Sequence, residues 1–176
     1  FKGSLDMQAE FDHTSRNGMS VLETTVNIDT TDIYYRGTIW NFRKSEIAYR
    51  NKALNFKNFG VNNNREHLGI DGALSSSSLD TIIVRMANLN LDEWFKLFNL
   101  NNIPLGGIAT GNAFASQVIS KEPAINADIN LKDFEFLNSY GGDATLTALW
   151  NNQSSRIDCA LSMNNNNDRA RITGYY

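Results

Sequence analysis

The sequence predicts an all-β chain with one short helix, and three observations carry that prediction. Apolar residues recur at every second position through most of the length, clusters rich in Asn and Gly separate the runs, and only two prolines interrupt them. In residues 4–11, Leu5, Met7, Ala9 and Phe11 alternate with Asp6, Gln8 and Glu10, the pattern of a half-buried strand. The same alternation predicts strands over 19–28, 33–42, 46–50, 54–59, 67–74 and 79–87, then over 108–118, 125–131, 144–150, 157–163 and 170–175. Between them, Asn17-Gly18, Asn62-Asn63-Asn64, Asn151-Asn152-Gln153-Ser154 and the run Asn164 to Asn167 are turn formers, because Asn and Gly tolerate positive φ. Strands this short and this regularly spaced predict an antiparallel or mixed sheet.

One segment changes period. Leu91, Trp94, Phe95 and Phe98 follow i, i+3, i+4, i+7 spacing, Asp92 and Glu93 suit a helix start, and Asn99 and Pro104 suit its end. A helix over 91–98 has only the sheet to pack on, so it is expected to plug an apolar end or edge.

Composition excludes several functions. At 41% hydrophobic residues the chain can bury a core. Its 16 basic and 19 acidic residues are scattered, which offers neither the basic face of a nucleic-acid binder nor a polybasic lipid anchor. No apolar run approaches the roughly 20 residues of a membrane-spanning helix. Cys159 is the single cysteine, so intrachain disulfides and cysteine-rich zinc sites are excluded, and its place between Ile157 and Leu161 predicts a buried small hydrophobe. The chain starts at Phe1-Lys2-Gly3 with neither an initiator Met nor a signal-peptide pattern, and residues 1–176 are expected to be a single β-rich segment excised from a longer protein.

No local pattern supplies a catalytic residue, a metal site or a cofactor. His13 beside Asp12 and His67 beside Glu66 read as solvated residues near turns. Gly106-Gly107-Ile108-Ala109-Thr110-Gly111 lacks the Lys-Ser/Thr of a phosphate loop, Ser75 to Ser78 has no nucleophile setting, and the sequon at Asn152 falls in a turn. Asp71, Asp80, Asp128, Asp133, Asp143 and Asp158 read as solvent-facing strand positions. The positive feature is a set of apolar rows: Ile82, Val84 and Met86; Ile125, Ala127, Ile129 and Leu131; Ala144, Leu146, Ala148 and Trp150; Ile157, Cys159, Leu161 and Met163. Their ordinary reading is the core of a closed β-sandwich.

The order of elements resembles the repeat grammar of TamB-like proteins, the large subunits of the translocation and assembly module, also described as AsmA-like. The resemblance rests on Leu54-Asn55-Phe56-Lys57-Asn58-Phe59, on Leu68-Gly69-Ile70-Asp71-Gly72-Ala73-Leu74-Ser75, on residues 79–84 and on Asn88-Leu89-Asn90-Leu91. It continues through Leu105 to Gly111, Pro123 to Ile129, Gly142-Asp143-Ala144-Thr145-Leu146, Trp150-Asn151-Asn152 and Ile172-Thr173-Gly174-Tyr175-Tyr176. It covers about two thirds of the chain, and the family is marked by strand rhythm and spaced glycines and has no catalytic signature.

The resemblance implies an elongated sheet folded lengthwise into a taco-like trough with an apolar interior. The implied setting is the periplasm, within an inner-membrane-anchored protein that supports phospholipid transport and outer-membrane protein assembly. Implied partners are phospholipid acyl chains or unfolded outer-membrane protein strands, with an outer-membrane barrel reached through other parts of the full-length protein. The expected lipid-facing strip is Ile82, Val84, Met86, Ile125, Ile129, Leu131, Leu146, Trp150, Ile157 and Leu161. The alternative is a carbohydrate-binding or adhesin-like β-sandwich, with Tyr34, Tyr35, Trp40, Tyr140, Tyr175 and Tyr176 as stacking surfaces.

Overall fold

The computed structural model describes residues 2–16, 19–97, 99–100, 102–165 and 168–176, with the backbone alone between 14 and 20. The first strands are β1 (Met7–Arg16), β2 (Met19–Ile28), β3 (Thr31–Tyr35), β4 (Thr38–Phe42), β5 (Ser45–Arg50) and β6 (Ala53–Asn62). They are followed by β7 (His67–Leu74), β8 (Thr81–Asn90), the helix α1 (Leu91–Leu97) and β9 (Leu105–Ser116). The last four are β10 (Ala124–Phe136), β11 (Ser139–Asn151), β12 (Arg156–Asn165) and β13 (Asp168–Tyr175).

All thirteen strands belong to one open antiparallel sheet that runs from β1 through β2, β5 and β6 and then in chain order to β13. The closed sandwich, the alternative fold, is therefore not the architecture, since its strands would divide between two sheets. Residues fall into two compact units. The first comprises Phe1–Asn64, Leu68–Val84 and Ser116–Pro123, and the second Arg65–His67, Arg85–Ala115 and Ala124–Tyr176.

Within the first unit, the strand predicted over 33–42 is instead a hairpin, β3 against β4, with Ile33 opposite Trp40. Arg36 and Gly37 turn the chain at φ of 49° and 83°, the doubly positive turn whose twist suits a two-residue hairpin. The apolar parity also changes there, from Ile33 and Tyr35 to Trp40 and Phe42. β4 then continues alongside β6, with Phe42 opposite Val61.

Three strands carry the same interruption. Asn58 in β6, Asn88 in β8 and Asp133 in β10 adopt φ of 55°, 51° and 52°. Each backbone N–H, turned out of the ladder, donates to a side chain: to Asp71 Oδ1 at 2.7 Å, Thr110 Oγ1 at 2.9 Å and Asp143 Oδ1 at 3.2 Å. The extra residue makes a β-bulge, and in β10 the register shifts between Leu131 and Phe134 accordingly.

The consequence is a matter of parity. Phe56 and Phe59, Met86 and Leu89, and Leu131 and Phe134 lie three positions apart, which in a regular strand would put them on opposite faces. The bulge in β10 keeps both members on one face, since Leu131 stands opposite Ala144 and Phe134 opposite Gly142. Phe134 is 2% exposed, and Val61 and Leu89 are buried. Gly72, at φ 97° beside Asp71, and Gly142, at φ 79° beside Asp143, let the neighbouring strand approach where a Cβ would collide with the Thr81 and Asn164 carbonyls respectively.

The helix lies where its period predicts, in the second unit, and Phe98 of the predicted span lies outside the described residues. Asn90 caps it by accepting the Glu93 N–H at 3.3 Å, and Asn99 ends it at φ 57°. Trp94 is buried, and its Nε1–H donates to Glu66 Oε2 at 2.9 Å, the same oxygen that accepts the Asn90 N–H at 3.1 Å.

Of the predicted turns, residues 152–155 join β11 to β12, with the Asn151 side chain accepting the Gln153 and Ser154 N–H groups. Asn62 closes β6 and Asn63-Asn64 begin the connection to β7. Asn17-Gly18 and Asn166-Asn167 lie outside the described residues, while Asn164 and Asn165 are still strand, paired with Arg169 and Asp168. His13 is in β1 and not at a turn, because that strand runs on to Arg16.

Candidate functional site

Directly opposed residues of an antiparallel pair share a face, so register alone assembles the apolar surface of β10–β13. Leu131, Ala144, Met163 and Ala170 form one cross-strand row. Ile129, Leu146, Leu161 and Ile172 form the next, and Ala127, Ala148, Cys159 and Gly174 a third. Trp150 opposes Ile157, and Tyr176 exchanges both backbone bonds with Ile157 at 2.8 and 3.0 Å. Ile125 precedes Ala127 by two positions in unbroken strand and joins the same face.

Coverage across this face is graded. Leu131, Ala144 and Ile157 are buried, Ile129, Leu146, Trp150 and Leu161 are half-buried, and Ile172 is 59% exposed. Among the described residues, no large side chain anywhere in the chain is completely enclosed. Cys159, expected to be buried, is half-buried, because its neighbours Ala148 and Gly174 are too small to cover it.

The reverse face of the same strands is mainly polar, with exposed Leu149 as its one large aliphatic side chain among the described residues. Thr145 Oγ1 donates to Asn130 Oδ1 at 3.2 Å and Arg171 to Ser162 Oγ at 3.3 Å. Asp158 accepts from Asn151 at 3.1 Å and from Arg156 at 2.7 Å, and the Arg156 guanidinium lies 4.7 Å from the Tyr175 ring centroid. The Asn151 bond, aided by Arg156 and opposed by desolvation, holds the Asp158 carboxyl below the ordinary carboxylate value. Desolvation first, and then the charge and hydrogen bond of Asp133, push the Tyr140 hydroxyl up.

Of the residues predicted to face lipid, Ile125, Ile129, Leu131, Leu146, Trp150, Ile157 and Leu161 thus share one registered surface of the second unit. Ile82 and Val84 lie on the part of β8 in the first unit, and Met86 on the part in the second. Sequence reasoning did not include Ala170 and Ile172 of β13 in the strip. Their alternation is visible in Ala170-Arg171-Ile172 but is cut short by Gly174.

A second apolar face, also unnamed from sequence, belongs to the first unit: Ala9, Val26, Ile47 and Phe56 form a row, with Phe11, Thr24, Tyr49 and Leu54 beside it. The first unit also holds a cleft lined by Glu46, Arg50, Asn55, Lys57 and Asp80, where Arg50 donates to Thr25 Oγ1 at 2.7 Å. Its lining is mixed, since Ala48, Phe56, Ala73 and Leu79 border it beside these polar groups. Several predicted solvent-facing aspartates are structural acceptors: Asp71 and Asp143 hold bulges, and Asp80 Oδ2 accepts the hydroxyl of buried Ser75 at 2.6 Å. Among the described residues no three His, Cys, Asp or Glu side chains gather as a metal site.

Comparison with family models, curated proteins and solved structures finds no match to this chain.

Proposed function

We propose that the chain is a non-catalytic segment of a TamB-like periplasmic protein, whose apolar sheet face forms the inner wall of a trough that solvates phospholipid acyl chains. The observation that supports this most is the registered surface of β10–β13, where Ile129, Leu146, Leu161 and Ile172 line up across four strands yet remain partly exposed. Fully covering one Leu or Ile is worth about 1.5–3 kcal/mol, so a row of such side chains in water is costly until an apolar guest lies on it. The surface is mostly aliphatic and carries no directional polar group, which suits flexible chains without a fixed conformation.

In the proposed setting the protein is anchored at the inner membrane and supports lipid transport and outer-membrane protein assembly, with an outer-membrane barrel engaged by other parts of the full-length chain. The carbohydrate reading draws less support. Tyr34 and Tyr35 point to opposite faces of β3 and so do not form one platform, and the Tyr175 ring on the polar face of β13 is taken up by the Arg156 guanidinium.

Photo-crosslinking in cells tests the proposal. Probes at Ile129 and Leu161 should yield phospholipid adducts, and probes at Asn130 and Ser162, on the reverse face, should not. Equal labelling of both sets, or none in either, would contradict it.

A further inference from the structure

Two connections in the second unit hold large apolar side chains in water at one end of the strands. The β10–β11 turn is Leu137-Asn138, at φ of 50° and 61°. It is tied to the segment between α1 and β9, because the Leu137 N–H donates to the Pro104 carbonyl at 3.0 Å. That segment is itself tightly wound: the Leu100 N–H donates to the Phe95 carbonyl at 2.7 Å and the Ile103 N–H to the Leu100 carbonyl at 3.1 Å. Leu97, Leu100, Ile103, Phe136 and Leu137 are all exposed, Leu137 to 64%. A strand pairing beyond β1 or β13 would lie alongside the sheet, so it would not cover these strand ends.

Leu137 is unfavourable where it stands on two counts. Two other hairpins among the described residues carry the same doubly positive turn, at Arg36-Gly37 and Asn51-Lys52, and both fill it with residues that suit water. Positive φ strains a Leu, a strain that Asn or Gly would relieve, and water meets most of the side chain. A strained, exposed apolar residue beside four more exposed apolar residues points to a contact made outside the fold.

The surroundings select the kind of contact. No charged residue occurs in 97–120 or in 136–142. Tyr140, opposite Glu135, sets an exposed ring one step back from the turn, and its hydroxyl donates to Asp133 Oδ1 at 3.3 Å. A ring with a polar tip behind an uncharged apolar end is the arrangement met at a membrane–water boundary, whereas a protein interface carries a polar rim that fixes its register. We propose that Leu100, Ile103, Phe136 and Leu137 insert into the surface of a phospholipid bilayer, with Tyr140 at headgroup depth. Apolar area drives this binding, so it needs no anionic lipid and does not weaken as salt rises. The tip uses no residue of the β10–β13 face and stands without the acyl-chain reading.

Flotation of the full chain with phosphatidylcholine vesicles tests it. The chain should float with the vesicles equally at low and high salt, and Leu100→Asp with Leu137→Asp should lower the partition coefficient at least tenfold. Leu137→Asn separates docking from folding: it should raise the urea midpoint, because it relieves the turn, and yet weaken vesicle binding. In a Cys159→Ser background, a nitrobenzoxadiazole fluorophore on Leu137→Cys should brighten and shift to the blue on vesicles. The same fluorophore on Ser154→Cys, in the turn at the opposite end of β11, should not. Ile129→Asp should still float, so that a failure of the tip and a failure of the acyl-chain face read separately. A chain that does not float, binding that requires anionic lipid or fades with salt, tip variants that bind like the parent, or an equal response from the two fluorophores would each overturn the proposal.

Discussion

Replacing Trp94 with Ala measures how firmly α1 is docked. The indole is 9% exposed, and truncating a large buried aromatic costs about 3–5 kcal/mol in transfer and cavity terms. The lost bond to Glu66, at 2.9 Å, falls within that range, because the Glu66 oxygen keeps its second donor, the Asn90 N–H, and is not orphaned. Trp94→Phe separates the two contributions: it keeps most of the apolar area and should cost about 1.5–3 kcal/mol, the worth of a hydrogen bond to a charged group. Urea unfolding followed by circular dichroism and extrapolated linearly to water gives both values. A loss below about 0.5 kcal/mol for Trp94→Ala, the scale of a surface substitution, would refute a docked helix.

Other consequences are equally direct. Asn58→Gly loses the side-chain bond to the Lys44 carbonyl, and Asn58→Val must also hold a β-branched residue at positive φ; urea melts should rank Val below Gly by about 1–2 kcal/mol. Asp158 titrates below its ordinary value in the folded chain, so its contribution to stability is present above the ordinary carboxylate pKa and is lost as pH falls through the lowered one. Asp158→Asn should flatten that acid limb of urea midpoint against pH, and an unchanged limb would contradict the assignment. Ile129→Asp should leave the circular dichroism spectrum intact while abolishing phospholipid co-purification, because a half-exposed position can hydrate one carboxylate that a sealed core cannot.

Period-two alternation located the strands because most of them bury one face, and the change to period 3.6 located α1. It could not separate β3 from β4, since Tyr35 to Trp40 remains rich in strand formers and the chain reversal rests on Arg36 and Gly37 alone. The bulges were the other blind spot. Phe56-Lys57-Asn58-Phe59 reads as a lapse in alternation, and only the positive φ of Asn58 and the Asp71 acceptor show that the lapse preserves the apolar face. For the same reason Asp71 and Asp143 read as solvent residues in the sequence, because their partners are backbone groups on neighbouring strands.

Rows within single strands were legible, including most of the surface on β10–β12. Their cross-strand alignment was not, because it depends on register, and register depends on turns and bulges that alternation does not encode.

The claim that this surface takes acyl chains can be read from Trp150, whose ring belongs to the apolar face opposite Ile157. In a chain carrying Trp40→Phe and Trp94→Phe, Trp150 is the sole indole. Phospholipid brominated along its acyl chains should quench its fluorescence strongly, while the same lipid without bromine should not. Emission unchanged by the brominated lipid, in a chain that remains folded, would contradict an acyl-chain surface on β10–β13.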